Sequence, residues 1–440
     1  MLKMYGHRWW CFAAVVVVAC WWKGVVGQQQ PRQASAIWVM GDSLVDNGNN
    51  NFLMSLARAN YYPYGVDYYR GPTGRFCNAR TFSDILDWLG VAAPPPFADP
   101  RTAGNRILGG VNYASAAGGI LDESGQHYVI IHFMKSYYEL LKKSSKWSVL
   151  TNNLEKIVLT FFLQIHILFD FFSIKSCFSQ QEAFTYGSIA YMARQGICGD
   201  RITLNQQVVN FETTLGQLRT MISPANLTQF LANSIVIMVF GSNDYINNYL
   251  MPNLYATSRF YNPQAFSNLL LNRYARQIQA LYSLGLRKFF LAGVGPIGCT
   301  PNQLATGRGA PGRCVDSVNQ MVGPFNEGLK SLVGQFNGGS HPGAMFVYGN
   351  TYGTFGDILN NPARYGFRVR DRACCGLGRN QGQITCIPNL MPCANRNEYV
   401  FWDAFHPTQA ANGVLAQRAY SGSTTDTFPI NVQQLAQLKL

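Results

Sequence analysis

Charge is scarce in this chain: Asp, Glu, Lys and Arg together make up 13% of its 440 residues, against 48% hydrophobic residues. That balance belongs to a chain with a substantial core, long enough for one large α/β domain or two small ones. The formal net charge of +13 is spread thinly. The first residues carry +3 (Lys3, Arg8, Lys23), residues 129 to 198 carry another +3, and the remainder is near +7. Basic runs and aromatic-interleaved basic patches are lacking, which argues against a nucleic-acid partner and leaves a mild attraction to acidic cell-wall polymers or anionic surfaces. Long hydrophobic runs are lacking too. Trp9 to Trp22 is apolar but short of the ~20 residues that a span needs. Preceded by Lys3, His7 and Arg8 and followed by Val25 and Gly27, it has the form of a secretory signal over residues 1–27, cleaved before Gln28. A membrane anchor is the alternative.

The eleven cysteines lack zinc-like spacing. Cys11 and Cys20 fall in the signal, and Cys177 and Cys198 in residues 129–198. The other seven are Cys77, Cys299, Cys314, Cys374, Cys375, Cys386 and Cys393. In a secreted protein these read as disulfides with one thiol left over, and Cys299 with Cys314, closing a Pro/Gly-rich loop, is the clearest pair. The sequon Asn226-Leu227-Thr228 places a glycan on Asn226, in keeping with an extracellular location.

Five segments read as strands, separated by helical patterns: Ile37 to Met40, Arg106 to Tyr113, Ile235 to Phe240, Lys288 to Gly293, and Met345 to Tyr348. Their apolar character and their alternation with amphipathic helices predict a parallel sheet covered on both faces. One helix starts at a Thr81/Asp84 capping box, with Phe82, Ile85, Leu86 and Leu89 inward. A second is capped by Asn262, opened by Pro263 and stopped at Gly285, with a stripe running from Phe266 to Leu281. A third carries Val318, Met321, Phe325, Leu329 and Leu332. Asp46 to Asn51 reads as a loop outside the core. No internal repeat is evident.

Ser43 stands just past the carboxyl end of the first strand, the edge at which open α/β sheets bind ligands. It reads either as a nucleophile or as a helix N-cap. Acyl transfer needs a nucleophile, a base, a group fixing the base's tautomer, and donors for the developing oxyanion. Histidines are few: outside the signal and residues 129–198 only His127, His341 and His406 remain, and His341 sits in a turn-like Gly-Gly-Ser-His-Pro-Gly. His406 lies three residues after Asp403, within reach of one loop turn, although the same pattern also fits a helix start. Asn243 ends the Ile235 strand and offers its amide as an oxyanion donor or as an Asx-turn. The small residues Ala114 to Gly119 permit the close approach that an oxyanion amide requires, and a packed strand-to-helix turn would use them equally.

Taken in order, Gly41-Asp42-Ser43-Leu44, Gly241-x-Asn243-Asp244 and Asp403-x-x-His406-Pro407 resemble the blocks of the GDSL, or SGNH, hydrolase family, in its plant secreted esterase/lipase branch. Gly74 to Arg80, Gly110 to Ser115, Gly293 to Cys299 and Phe428 to Val432 add to the likeness, which covers roughly residues 28–128 and 199–431. It implies a flavodoxin-like α/β/α sandwich with a parallel sheet of about five strands, and a monomeric, extracellular esterase/lipase of the apoplast or cell wall that spans no membrane. Hydrolysis of acyl or acetyl esters would use no metal or other cofactor. By residue, Ser43 would be the nucleophile, His406 the base and Asp403 its orienting acid. The oxyanion hole would take the Ser43 amide, Asn243 and Gly119, chosen because the family block ends in Gly-Ile, with Gly118 the alternative. An O-acetyl esterase acting on carbohydrate and a catalytically impaired binding protein are the competing expectations. G-x-S-x-G, the α/β-hydrolase elbow, is lacking around Ser43.

Residues 129–198 depart from the family pattern and from the composition around them. Tyr128 reads almost directly into Gly199, so residues 28–440 form a single domain interrupted by an insertion. A lid and a translated intron are the two explanations, and the odd composition favours the intron.

Overall fold

The computed structural model describes residues 32–126, 200–310 and 312–439. The expected signal over 1–27, His127 and the insertion 129–198 lie outside them.

The chain is built around β1 (Ile37–Gly41), every residue of which is buried. A one-turn helix, α1 (Phe82–Ile85), follows much later, with its Thr81/Asp84 capping box formed. Then come α2 (Leu204–Met221), α3 (Pro224–Ala232) and β2 (Ile235–Val239). Next are α4 (Pro263–Ser283), β3 (Lys288–Ala292), α5 (Asp316–Gln335) and β4 (Met345–Gly349). The chain continues with α6 (Thr351–Asn360), a small parallel pair β5 (Val369–Ala373) and β6 (Tyr399–Phe401), α7 (Gln409–Ser421), β7 (Thr427–Phe428) and α8 (Val432–Gln437).

Strands β1, β2, β3, β4 and β7 form one sheet in that order; the first four run parallel, and β7 is antiparallel to β4. Because side chains alternate across a strand, each one feeds both layers. Trp38, Met40, Val236, Met238, Phe289 and Leu291 pack under α2 to α5. Ile37, Val39, Ile235, Ile237, Phe290 and Ala292 face α1, α7 and α8. This is the expected α/β/α sandwich, and runs buried on both faces explain why the strands read as continuous apolar stretches.

Several local expectations are met. Asn262 Oδ1 accepts from the Ala265 amide at the start of α4, and Gly285 beyond its end has φ +106°. Others are revised. Arg106 to Tyr113 is not a full strand: Gly104–Ile107 is a 3-10 turn, and only the part after Gly109 runs beside the free edge of β1. There the Ile37 and Val39 amides donate to the Gly109 and Val111 carbonyls (3.1 Å each), and the Tyr113 amide donates to Val39 (2.7 Å). Gly110, at φ +106°, lies so close to the Ile37 backbone that a Cβ would collide with it. The fifth strand of the sheet is instead the two-residue β7. On α5 the deepest positions include Val322 and Val333, with Met321 and Leu332 at the margin of the core.

Asp46 to Asn51 also departs from expectation. It is a loop that passes into a 3-10 turn at Asn49–Phe52, and Asp46, Asn49 and Asn50 are buried, because their side chains hydrogen-bond main chain that would otherwise be unsatisfied. Asn49 Nδ2 donates to the Asn112 and Ala114 carbonyls (2.9 and 2.8 Å), and Asp46 accepts from the Gly48 and Asn49 amides (2.8 Å each). Polar residues here do what apolar ones do elsewhere: they hold the Ala114 segment against the sheet edge.

Candidate active site

At the carboxyl edge of the sheet, β1 ends and the chain folds into a tight turn. The Asp42 amide donates to the Val239 carbonyl of β2 (3.2 Å), and the Val45 and Asp46 amides donate to the Asp42 carbonyl (3.2 and 3.0 Å). Asp42 Oδ1 accepts from the Leu44 amide (2.9 Å), and no helix starts at this turn, so Ser43 caps none. The Ser43 hydroxyl instead lies 2.7 Å from Nε2 of His406.

His406 comes from the loop after β6. Asp403 Oδ1 accepts from the Phe405 and His406 amides (2.9 Å each), closing a turn that points carboxylate and imidazole at one another. This is why a spacing of three works. Nδ1 of His406 is 2.8 Å from both carboxylate oxygens. Trp402 donates its amide to the His406 carbonyl (2.8 Å), which pins the loop from the other side. Asp403 is fully buried. Burial pushes its carboxyl up, but the facing imidazole and the hydrogen bonds it accepts outweigh this and hold it below the usual carboxylate range.

One of those bonds comes from a residue that the sequence did not single out. The Tyr64 hydroxyl donates to Asp403 Oδ2 at 2.6 Å, and its ring is buried against Trp402, Phe76 and Tyr61. Phe76 in turn packs on the imidazole, with ring centroids 5.1 Å apart. A buried ion pair, Arg75 to Asp84 (2.6 Å), holds the Phe76 segment in place.

Across the site, Gly241 at φ +111° turns the chain out of β2, where a Cβ would lie 2.6 Å from Val294. Asn243 follows, buried but lining the same cavity as Ser43. Its Nδ2 donates to the Gly118 carbonyl (2.9 Å), and its Oδ1 accepts from Asn247 (2.6 Å). A second amide hydrogen remains on Nδ2. Asp244 accepts from the Ile120 and Leu121 amides (2.9 Å each) and from Ser124 Oγ (2.7 Å), binding this turn to the Ala114–Leu121 segment.

On that segment the cavity wall is formed by Ala116 and Ala117. Gly119, expected there from the sequence, is placed differently. A Cβ at Gly119 would lie 2.6 Å from the Ser124 Cβ and 2.7 Å from Asp244, so its lack of a side chain serves packing against Asp244. The Ala116 amide is occupied by Asp46 and Asn50 (3.1 Å each). Ala117 has φ +65°, a backbone conformation that costs a non-glycine residue energy and that clusters at functional sites. Its amide donates to no group among the described residues.

Burial raises the Asp42 carboxyl to about 7, and Oδ2 of that residue has no hydrogen-bond partner. Away from the site, His341 is buried among Tyr282, Phe336 and Phe346, with Nδ1 2.8 Å from Ser340 Oγ, and takes no part in this arrangement. Three disulfides link Cys299 to Cys314, Cys374 to Cys393 and Cys375 to Cys386. Among the described residues Cys77 is the unpaired thiol, pushed up to about 12 by burial and therefore a poor nucleophile. Asn226 is exposed near the start of α3. Among the described residues no group of His, Cys, Asp and Glu side chains could hold a metal ion, and no helix is long and apolar enough to cross a membrane.

Comparison with known proteins shows the family. The profile of the GDSL-like Lipase/Acylhydrolase family matches residues 37–419. A GDSL esterase/lipase of Arabidopsis thaliana is 55% identical over 93% of this chain and 92% of its own length. A second from the same plant is 43% identical over 92% of this chain and 88% of its own. GDSL esterase/lipase 7, also from Arabidopsis thaliana, is 42% identical over 94% and 95%. The chain therefore belongs to the GDSL-like lipase/acylhydrolase family, among the plant GDSL esterases/lipases, and is a carboxylic ester hydrolase.

Proposed function

We propose that this protein cleaves carboxylic esters by serine catalysis, with Ser43 as nucleophile, His406 as general base and Asp403 holding the imidazole. The observation that carries the reading is the continuous line of contacts from Asp403 to Nδ1 (2.8 Å) and from Nε2 to Ser43 Oγ (2.7 Å). With Nδ1 protonated towards Asp403, Nε2 accepts the hydroxyl proton as Oγ attacks the ester carbonyl. The negative charge on the carbonyl oxygen then needs donors that are already in place. The Ser43 amide and the second Nδ2 hydrogen of Asn243 supply two. The third is a backbone amide of the turn from Ala114 to Gly119: Gly119 is the donor that the family block suggests, and Ala117, whose amide likewise has no acceptor among the described residues, lines the cavity. His406 returns its proton to the leaving alkoxide, leaving an acyl-serine. The same histidine next activates a water, which releases the acid and restores the hydroxyl.

Replacing Ser43 with Ala should lower turnover of short aryl esters on the order of 10⁴-fold or more. A fluorophosphonate probe should label the unmodified chain at Ser43 alone. Full turnover in the Ala variant, or a chain that resists the probe, would end the serine reading, and the latter would favour a binding protein.

The same reading takes residues 1–27 as a removable secretory signal and residues 28–440 as one domain acting outside the cell. Three disulfides and an exposed Asn226 within a sequon support it, since such pairs persist in oxidising compartments. Amino-terminal sequencing of the secreted form should begin at Gln28.

A further inference from the structure

Outside the Ser43 site, positive charge is gathered on one face of the small β5/β6 pair. Arg368, Arg370 and Arg372 are exposed, while Val369 and Asp371 between them are half-buried, the alternation of a strand with one side in water. The loop after the one-turn helix Pro301–Ala305 adds Arg308 and Arg313, also exposed. Arg370 lines a hollow together with Gly312 and Cys314, the two neighbours of Arg313, which brings that loop against β5. Arg379 is exposed at the start of the 3-10 turn Arg379–Gln381 and lies across Gly307, where a Cβ would meet its guanidinium at 2.5 Å. Asn380 Nδ2 donates to the Asp371 carbonyl (2.7 Å), which fixes that turn to β5. The fold thus joins arginines that the sequence keeps in two separate stretches.

The carboxylates of this face do not cancel the charge. Against these six arginines stand Asp316, Asp371 and Glu398. Glu398 is 3.5 Å from Arg368, whose side chain is 79% exposed, and Asp371 is 3.4 Å from Arg372, whose side chain is 57% exposed. Contacts so long and so open to water contribute little and leave both guanidinium groups able to take another partner. Arg370 gives one nitrogen to the Leu359 carbonyl and keeps further donors.

Each of these cations is an arginine, whose planar fork matches a carboxylate through two parallel hydrogen bonds. None of the exposed large apolar side chains belongs to this face, so nothing on it would enter a lipid layer or stack on bases. Polar groups also connect it to the cavity at Ser43, which Asn302 and Gln383 help to line. Asn302 Nδ2 donates to the Gly382 carbonyl (3.3 Å), and Gln383 Oε1 accepts from the Arg379 amide (3.1 Å). We propose that the arginine face of β5 binds a linear polysaccharide of carboxylate-bearing sugars, a polyuronate, beside the mouth of that cavity. The surface lies outside the contacts among Asp403, His406 and Ser43, so it stands or falls independently of the serine reading.

The test is affinity electrophoresis through gels containing polygalacturonate or neutral dextran, at low ionic strength. It compares the wild-type protein with a triple variant of the face, Arg368→Gln, Arg372→Gln and Arg379→Gln. A second triple variant, Arg219→Gln, Arg273→Gln and Arg276→Gln, removes the same charge from exposed positions on α2 and α4. Polygalacturonate and not dextran should retard the wild-type protein, and added salt should release it. The face variant should bind about tenfold more weakly with its turnover of short aryl esters unchanged, and the second variant should bind like wild type. If the face variant does not fold, Arg368→Gln and Arg372→Gln made singly should each weaken binding about twofold. Equal losses in the two triple variants would assign the binding to net charge and overturn the proposal. Failure of polygalacturonate to retard the wild-type protein would do the same, as would tighter binding to duplex DNA or to phosphatidylglycerol vesicles than to polygalacturonate.

Discussion

The Asp403 carboxylate is the most constrained group at the site. It is fully buried and accepts from two backbone amides, an imidazole and a phenol. A buried carboxylate so surrounded stays ionised and fixes which nitrogen of His406 carries the proton. Asp403→Asn should keep the fold and lower turnover on the order of 10⁴-fold, because an amide can stabilise the wrong tautomer. Tyr64→Phe removes one hydrogen bond from the carboxylate and leaves the charge, so kcat should fall about tenfold with KM little changed. If Tyr64 acts through Asp403, combining the two substitutions should cost no more than Asp403→Asn alone. Multiplying losses, or a Tyr64→Phe effect confined to KM, would mean that the phenol does something else.

Among the elements, the segment from Ala114 to Gln126 and the start of α2 already hold each other across the insertion. Arg201 Nε donates to the Ser124 carbonyl (2.6 Å), the Ile202 amide to Ser115 Oγ (2.9 Å), and the Leu204 amide to the Gly119 carbonyl (3.3 Å). These contacts do not depend on residues 129–198. Short connections are the norm between such elements, so joining Tyr128 to Gly199 should raise soluble yield and leave the esterase rate at least as high. It also removes Cys177 and Cys198, two cysteines outside the three described pairs. Side-by-side expression and assay of the two forms decides it: lower yield together with lower rate would make the segment part of the fold.

For the whole molecule, the buried carboxylates set opposing responses to pH. Asp42 is raised from 3.8 to about 7 by burial, so its contribution to stability is fully present below about pH 4 and is lost as pH rises through about 7. Asp403, Asp84 and Asp357 are held below the usual range, so theirs is present above about pH 4 and is lost on further acidification. The melting temperature should therefore rise from pH 8 to pH 5 and drop at lower pH. Burial raises Asp46 and Asp244 to about 6 in the same sense, so Asp42→Asn should reduce the rise between pH 8 and pH 5 without abolishing it, read by thermal melts across that range. An unchanged slope in a folded Asp42→Asn protein would assign the rise to another group.

Much of this architecture was already legible as pattern. Apolar runs became β1 to β4 because a strand buried on both faces has no position for a polar residue. Thr81 and Asn262 start helices and Gly285 stops one where their local chemistry requires, and Asp403 and His406 form a turn closed by their own backbone. Each of these is decided within a few residues. Tertiary structure decided the rest. Tyr64 meets Asp403 across 339 residues of sequence, and no periodicity encodes that pairing. The Asn49 and Asn50 side chains are buried because they satisfy the backbone from Asn112 to Ala116, which a polar run seen alone could not reveal. Ala117 rather than Gly119 faces the cavity because Asp244 draws the Gly119 end of the segment inward. Small residues in a row all permit close approach, and only the neighbours that each one packs against determine which of them lines the cavity.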